Sequence, residues 1–221
     1  YWMGGILMNN NIFIAALFCF SLIFSPSTMN LDNKVYSKVE EEICNIEEYG
    51  MKIEYITDEN IKDEFNNISD YIKIEDFDSI VEKENEIYLN TSKEQFNLDI
   101  NLIEENSKSR VQIVIVSKNR IDFNDIKEYF QVIHNKNMKN IKYYTYIKGN
   151  IRENNNIDEI EEKLIKSIGK SKVKKNKRIN LEKGTTGIIN LKSDYQFNYS
   201  IMTYEEDRKL ILGTPIIFTT Y

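Results

Sequence analysis

Histidine is almost missing from this sequence: His134 is the only one among 221 residues. A histidine-centred metal site or a Ser-His-Asp triad would have to be built around that single side chain. It stands beside Ile133, near the end of an expected helix, where the helix C-terminal dipole gives it an ordinary surface role. Cysteine is nearly as scarce. Cys19 lies inside an apolar N-terminal run, and the preceding Ala16-Leu17-Phe18 lacks the small residue expected before a lipid-modified cysteine. Removal of that run leaves Cys44 alone, which excludes an internal disulfide and a multi-cysteine metal site. With no Lys or His beside it, Cys44 reads as a small packed hydrophobe. The few glycines (8) and prolines (2) exclude collagenous or low-complexity character. Neither a phosphate-cradling glycine motif nor a nucleophile elbow occurs. Asp76-Phe77-Asp78 lacks the following Gly and the later Glu of a calcium loop.

Charge is missing from one region altogether, because residues 1–29 contain no Asp, Glu, Lys or Arg. Within them, Ile12–Phe24 is an apolar run of 13 residues. That suits a signal peptide and falls short of the roughly 20 residues that span a bilayer. Ser25-Pro26-Ser27 supplies small residues for cleavage after Ser27, so residues 1–27 are assigned as a signal peptide. No Lys or Arg precedes the run, and an uncleaved anchor is the alternative, which would be the chain's one membrane contact. The remainder carries the net charge of −6. An acidic balance disfavours a dedicated nucleic-acid binder, which neutralises phosphates with Lys and Arg.

What is present is a globular composition, 41% hydrophobic and 12% aromatic. Leu31, Val35, Val39, Ile43 and Ile46 fall at helical spacing, predicting a helix that stops at Gly50. Met51–Ile56 reads as a strand, and Thr57 or Asp58 then caps a helix with Ile61, Phe65, Ile68 and Ile72 on one side. Ile74–Glu84 is a loop or short strand, followed by strands at Glu86–Asn90, Gln95–Glu104 and Arg110–Lys118. The last of these is apolar on nearly both faces and belongs at the centre of a sheet. Asp122 caps a third helix carrying Ile126, Phe130 and Ile133. A strand at Ile141–Ile151 and a helix from Asn156 to Gly169 follow, then a basic segment. Strands at Gly187–Lys192, Gln196–Tyr204 and Lys209–Ile217 complete an antiparallel meander.

Met51–Lys118 and Ile141–Ile217 therefore both read as strand, helix and several antiparallel strands. Two such halves sharing one sheet predict an α+β fold over residues 31–221, with a long curved antiparallel sheet and helices on one face. The closing Gly213-Thr214-Pro215-Ile216-Ile217 with Thr219-Thr220-Tyr221, the exported N-terminus, the length and the element order resemble the YwmB family of bacterial proteins. That resemblance implies a fold similar to the TATA-box-binding protein, a pseudo-duplicated saddle, and a bacterial, exported protein. It implies no activity. The DNA contacts of that fold, basic residues and aromatic wedges around a concave sheet, have no individual match here.

Two groups of residues are candidate binding sites. Lys170, Lys172, Lys174, Lys175, Lys177 and Arg178 form a basic run suited to an anion such as a wall polymer, a lipid headgroup or nucleic acid. The bland alternative is that these lysines protect an exposed connection or edge strand. Tyr144, Tyr146 and Tyr199 would line an open sheet face that receives a glycan, a peptide or a partner protein, although tyrosine also simply favours strands. Asp76 with Asp78, or Glu205, Glu206 and Asp207, are the carboxylate pairs a cell-wall hydrolase would need. In a chain with 35 acidic residues such pairs arise by chance.

No metal and no cofactor is expected. The favoured function is non-catalytic binding or scaffolding outside the membrane, engaging a cell-envelope component or another exported protein through the open sheet face. Export predicts that the protein isolated from its own cells begins at or near Thr28 by N-terminal sequencing. An intact N-terminus on a cytoplasmic protein would overturn the signal-peptide assignment.

Overall fold

A computed structural model describes residues 31–72, 78–133, 137–152, 156–204 and 207–219. The expected signal peptide, His134, Asp76, Glu205, Glu206 and the closing Thr220-Tyr221 lie outside the described residues. The elements are α1 (Leu31–Glu42), β1 (Cys44–Thr57), α2 (Ile61–Ile72), β2 (Ser79–Lys83), β3 (Glu86–Lys93), β4 (Phe96–Glu105) and β5 (Lys108–Ser117). They continue with α3 (Phe123–Ile133), β6 (Met138–Ile151), α4 (Ile157–Ile168), a short 3-10 turn (Lys170–Lys172), β7 (Val173–Leu181), β8 (Gly184–Leu191), β9 (Gln196–Tyr204) and β10 (Asp207–Thr214). The chain is thus α+β.

Local chemistry sets several of these boundaries. Asn156 caps α4 by accepting from the Glu159 amide while the Glu159 carboxylate accepts from the Asn156 amide, a reciprocal pair that satisfies two otherwise orphaned donors. Asn60 caps α2 in the same position, its Oδ1 accepting from the amides of Lys62 and Asp63. Strand β10 ends at Thr214 because Pro215 has no amide to add to the ladder.

One boundary departs from the sequence expectation. The first helix ends at Glu42 and β1 begins at Cys44, so Ile46 belongs to a strand. The reason is a bulge: in the pairing of β1 with β6, Ile46 lies opposite Gly149 and Glu48 opposite Lys148, leaving Glu47 extra. The extra residue reverses the alternation. Ile46 and Tyr49, three apart, therefore both turn inward, which mimics helical spacing. The basic segment after α4 is also a strand, β7, at the sheet edge.

All ten strands form one antiparallel sheet in the order β2-β3-β4-β5-β1-β6-β10-β9-β8-β7. The two longest strands, β1 and β6, each of 14 residues, sit side by side at its centre. One alternating set of strand side chains shares a core with the helices. Met51 and Ile53 of β1, Leu98, Ile100 and Leu102 of β4, Ile113 of β5, Ile147 of β6, Phe197 and Ile201 of β9 and Leu212 of β10 pack with Val35 and Val39 of α1, Ile68 of α2, Phe123 of α3 and Leu164 of α4. The four helices thus cover one face of the sheet. Among the described residues no helix is long and apolar enough to cross a membrane.

Two glycines make room for tyrosine rings. A Cβ on Gly50 would stand 1.9 Å from the ring of Tyr146, and one on Gly187 would stand 2.4 Å from the ring of Tyr199. Each ring lies flat across the neighbouring strand and fills the gap the glycine leaves. Gly50→Ala should therefore displace Tyr146 and lower unfolding free energy by about 1–3 kcal/mol, the usual cost of overpacking. In urea denaturation the double variant with Tyr146→Ala should lose less than the sum of the two single losses, because the two residues touch.

Candidate binding face

The strand residues that point away from the helices make the second face of the sheet. At its centre, Lys52, Tyr144 and Tyr146 stand on adjacent strands, with Lys52 directly opposite Tyr144 and Gly50 opposite Tyr146. Lys52 Nζ is 2.8 Å from Glu54 Oε1 and lies 4.4 Å above the Tyr144 ring. The Tyr144 hydroxyl donates to Glu54 Oε2 at 3.0 Å, and the Tyr146 hydroxyl donates to Glu48 Oε1 at 2.6 Å. Burial pulls the Glu54 carboxyl up, but the bonds from Lys52 and Tyr144 and the charges of Lys52 and Lys142 outweigh it and hold the group below its ordinary value. Burial, with Glu48 beside it, raises the Tyr146 phenol.

This centre is covered. After β10 the segment 215–219 turns back over the open face, and Phe218 packs edge-on against Tyr146 at 4.9 Å between ring centroids and against Tyr144 at 6.4 Å. Lys52 Nζ also sits 5.3 Å from the Phe218 centroid. The Pro215 carbonyl accepts from Gln196 Nε2 at 2.9 Å and from the Asn198 amide. Tyr144 and Tyr146 share the open face, as alternation along β6 required, but both are buried. Tyr199 lies on the opposite, helix-covered face within the core and is wholly inaccessible. The expectation that the three line one open surface is corrected on that point: β9 contributes Asn198 and Ser200 to the open face, while its Phe197 and Tyr199 point inward, Tyr199 lying opposite Leu212 of β10.

The basic run is likewise divided. Lys170 Nζ binds Glu162 Oε1 at 2.7 Å, and Arg178 bonds to Asp158 and, at 3.1 Å, to Glu161. Both thus turn to α4. Lys175 lies opposite Asn190 and Lys177 opposite Ile188, on the open face. Lys172 and Lys174 are exposed.

Beneath the helices, α1 places a carboxylate in the core. Asp32, 3% exposed, accepts from Tyr195 and, at 3.3 and 3.2 Å, from the hydroxyls of Thr145 and Thr214. The Tyr36 hydroxyl lies 2.9 Å from Thr145 Oγ1, closing a network that ties α1 to β6, β10 and the β8–β9 turn. Burial raises the Asp32 carboxyl, and the three hydroxyl donors and the charge of Lys127 only partly pull it back. Glu64 of α2 is a second such group, fully buried and accepting from Tyr55 at 2.6 Å, and burial raises it too. Nothing in the sequence marked Asp32 or Glu64 as buried; both fall among ordinary acidic helix residues.

Cys44 is buried in the core, and burial pushes its thiol up to about 12. Asp78 closes a turn, its Oδ2 accepting from the Ser92 amide at 2.6 Å. Asp207 opens β10 at the surface. Among the described residues no group of three or more His, Cys, Asp or Glu is placed to hold a metal ion. No family model and no curated protein matches the chain.

The raised Asp32 carboxyl has a testable sign. The folded state binds its proton at pH values where the unfolded chain has lost it, so this group makes stability fall as pH rises from the ordinary Asp value, 3.8, through the higher folded value. Asp32→Asn removes that slope. In urea denaturation from about pH 4 to about pH 7, the stability advantage of the native sequence over Asp32→Asn should be largest in acid and shrink toward neutrality. A difference constant with pH would show that Asp32 titrates alike in both states.

Proposed function

We propose that this chain is an exported, non-catalytic binding or scaffolding domain that engages a cell-envelope component or another exported protein through its open sheet face. The observation that carries this reading is the uneven cover of the sheet. Four helices bury one face, whereas the other carries polar side chains, Asn90, Asn97, Gln112, Asn190 and Thr186 among them, along strands that no helix crosses among the described residues. A broad polar face of this kind suits a ligand bound by hydrogen bonds. The acidic net charge of the whole chain sets nucleic acid aside as the natural partner.

The finer reading of the fold belongs with this proposal. Helix, long strand, helix and four further strands occur twice, as α1-β1-α2-β2-β3-β4-β5 and α3-β6-α4-β7-β8-β9-β10. In each set the last strand returns beside the first, β5 to β1 and β10 to β6. Asn60 and Asn156 cap corresponding helices. These correspondences support a pseudo-duplicated saddle similar to that of the TATA-box-binding protein, and with it membership of the YwmB family.

Blocking the open face tests the functional reading. A bulky maleimide on a cysteine introduced at Gln112 or Asn190 should cut retention on envelope preparations from the source cells by at least about tenfold. The same label at Asn66, on the outer surface of α2, should leave retention unchanged. Cys44, being buried, stays unlabelled in the folded protein. Equal retention with all three labels would overturn the proposal.

A further inference from the structure

We infer that the β7–β9 end of the open face is a docking surface for a linear polymer of alditol units joined by phosphodiesters. This deepens the proposed function and rests on it. In a chain with 35 acidic residues, the three adjacent strands β7, β8 and β9 contain no Asp or Glu. Lys175 and Lys177 project from β7 on the open face. The Lys192 amide donates to the Lys172 carbonyl at 2.9 Å, which brings the 3-10 turn and the β8–β9 turn together at the same corner of the sheet. Lys172, Lys174, Lys175, Lys177 and Lys192 form no ion pair among the described residues, whereas Lys170 and Arg178 of the same run are paired to α4.

Protection of an edge strand accounts for the lysines on β7 itself. It does not account for Lys172 and Lys192, which lie outside the ladder, nor for neighbouring strands free of carboxylates. A row of unpaired cations beside neutral strands concentrates anions.

The side chains beside the lysines narrow the chemistry. Ladder pairing sets Lys175, Asn190 and Gln196 in one row, Lys177, Ile188 and Asn198 in the next, and Ile179, Thr186 and Ser200 in a third. Gln196 and Asn198 give their side-chain N–H groups to the Pro215 carbonyl, and the buried Ser200 hydroxyl donates to the Thr185 carbonyl. These rows therefore offer a polyol the Asn190 amide, the amide oxygens of Gln196 and Asn198, and Thr186 Oγ1 as an acceptor, with the lysines on its phosphates. Single-stranded nucleic acid needs exposed aromatic rings on which bases stack. In these strands Phe197 and Tyr199 are buried in the core, and the one exposed ring, Tyr204, ends β9. The surface is built for phosphates and hydroxyls and offers bases no platform beside the lysines.

The test uses the full exported chain and synthetic poly(glycerol phosphate) as probe, with single-stranded DNA of equal charge and anionic phospholipid vesicles as competitors. Poly(glycerol phosphate) should bind, more weakly as salt rises, and more tightly than either competitor. Replacing Lys174, Lys175, Lys177 and Lys192 together by Ser should weaken binding about tenfold or more and flatten the salt dependence. Lys170→Ser should leave both within about twofold. All five are surface residues, so circular dichroism should report unchanged folding. No binding, binding indifferent to the four substitutions, or tighter binding to DNA or vesicles would overturn the inference. If poly(glycerol phosphate) fails while labels at Gln112 or Asn190 still block envelope retention, this inference falls and the proposed function stands. If label position is also immaterial, both fall.

Discussion

The structure depends on the pairing of β1 with β6. Strands β2–β5 and β7–β10 are each a local meander of short-range hairpins; β5 returns beside β1 and β10 beside β6, and the β1–β6 ladder joins the two halves into one ten-stranded sheet. Residues about a hundred positions apart meet there, Met51 opposite Thr145 and Gly50 opposite Tyr146. The bulge at Glu47 decides which residues of β1 enter the core on each side of it. With that register set, Cys44 and Ile46 before the bulge and Tyr49, Met51 and Ile53 after it all point to the helices, and Lys52 and Glu54 point away.

From that sorting follows a division of charge. The helix layer gathers acidic residues, some exposed and paired, as Asp158 and Glu162 are with Arg178 and Lys170, and some buried at a cost, as Asp32 and Glu64 are. Burial penalises the ionised carboxyl, and in the core only hydroxyl and phenol donors offset that penalty. On the open face the balance changes from centre to edge. Its centre is compensated, with Lys52 held by Glu54 and Lys209 by Glu47. At its β7 edge Lys174, Lys175 and Lys177 form no ion pair among the described residues.

The open face is also partly closed by its own chain. Phe218 seals the Tyr144–Tyr146 centre, and Gln196 and Asn198 hold the Pro215 carbonyl. The consequence is that the exposed tyrosine platform expected from strand alternation does not exist, while the flanks to either side stay open. The parity of Tyr144 and Tyr146 was correctly legible, since a strand places alternate residues on one face. Their burial was not, because it comes from a segment seventy residues further on.

Taken alone, the sequence determined the elements that local chemistry controls. The alternation of Phe96 to Leu102 marked β4, Asn156 with Glu159 marked the start of α4, and the apolar stretch around Val111 to Val116 marked a central strand. Each signal is complete within a dozen residues, through side-chain period or a cap bond. The tertiary structure decided the rest: the boundary of α1, where a bulge copied helical spacing; the edge placement of β7; the burial of Asp32 and Glu64; and the division of the basic run between two faces. These depend on which strands pair and in what register, and register is fixed by contacts between residues far apart in the chain, for which no local pattern of residues is a record.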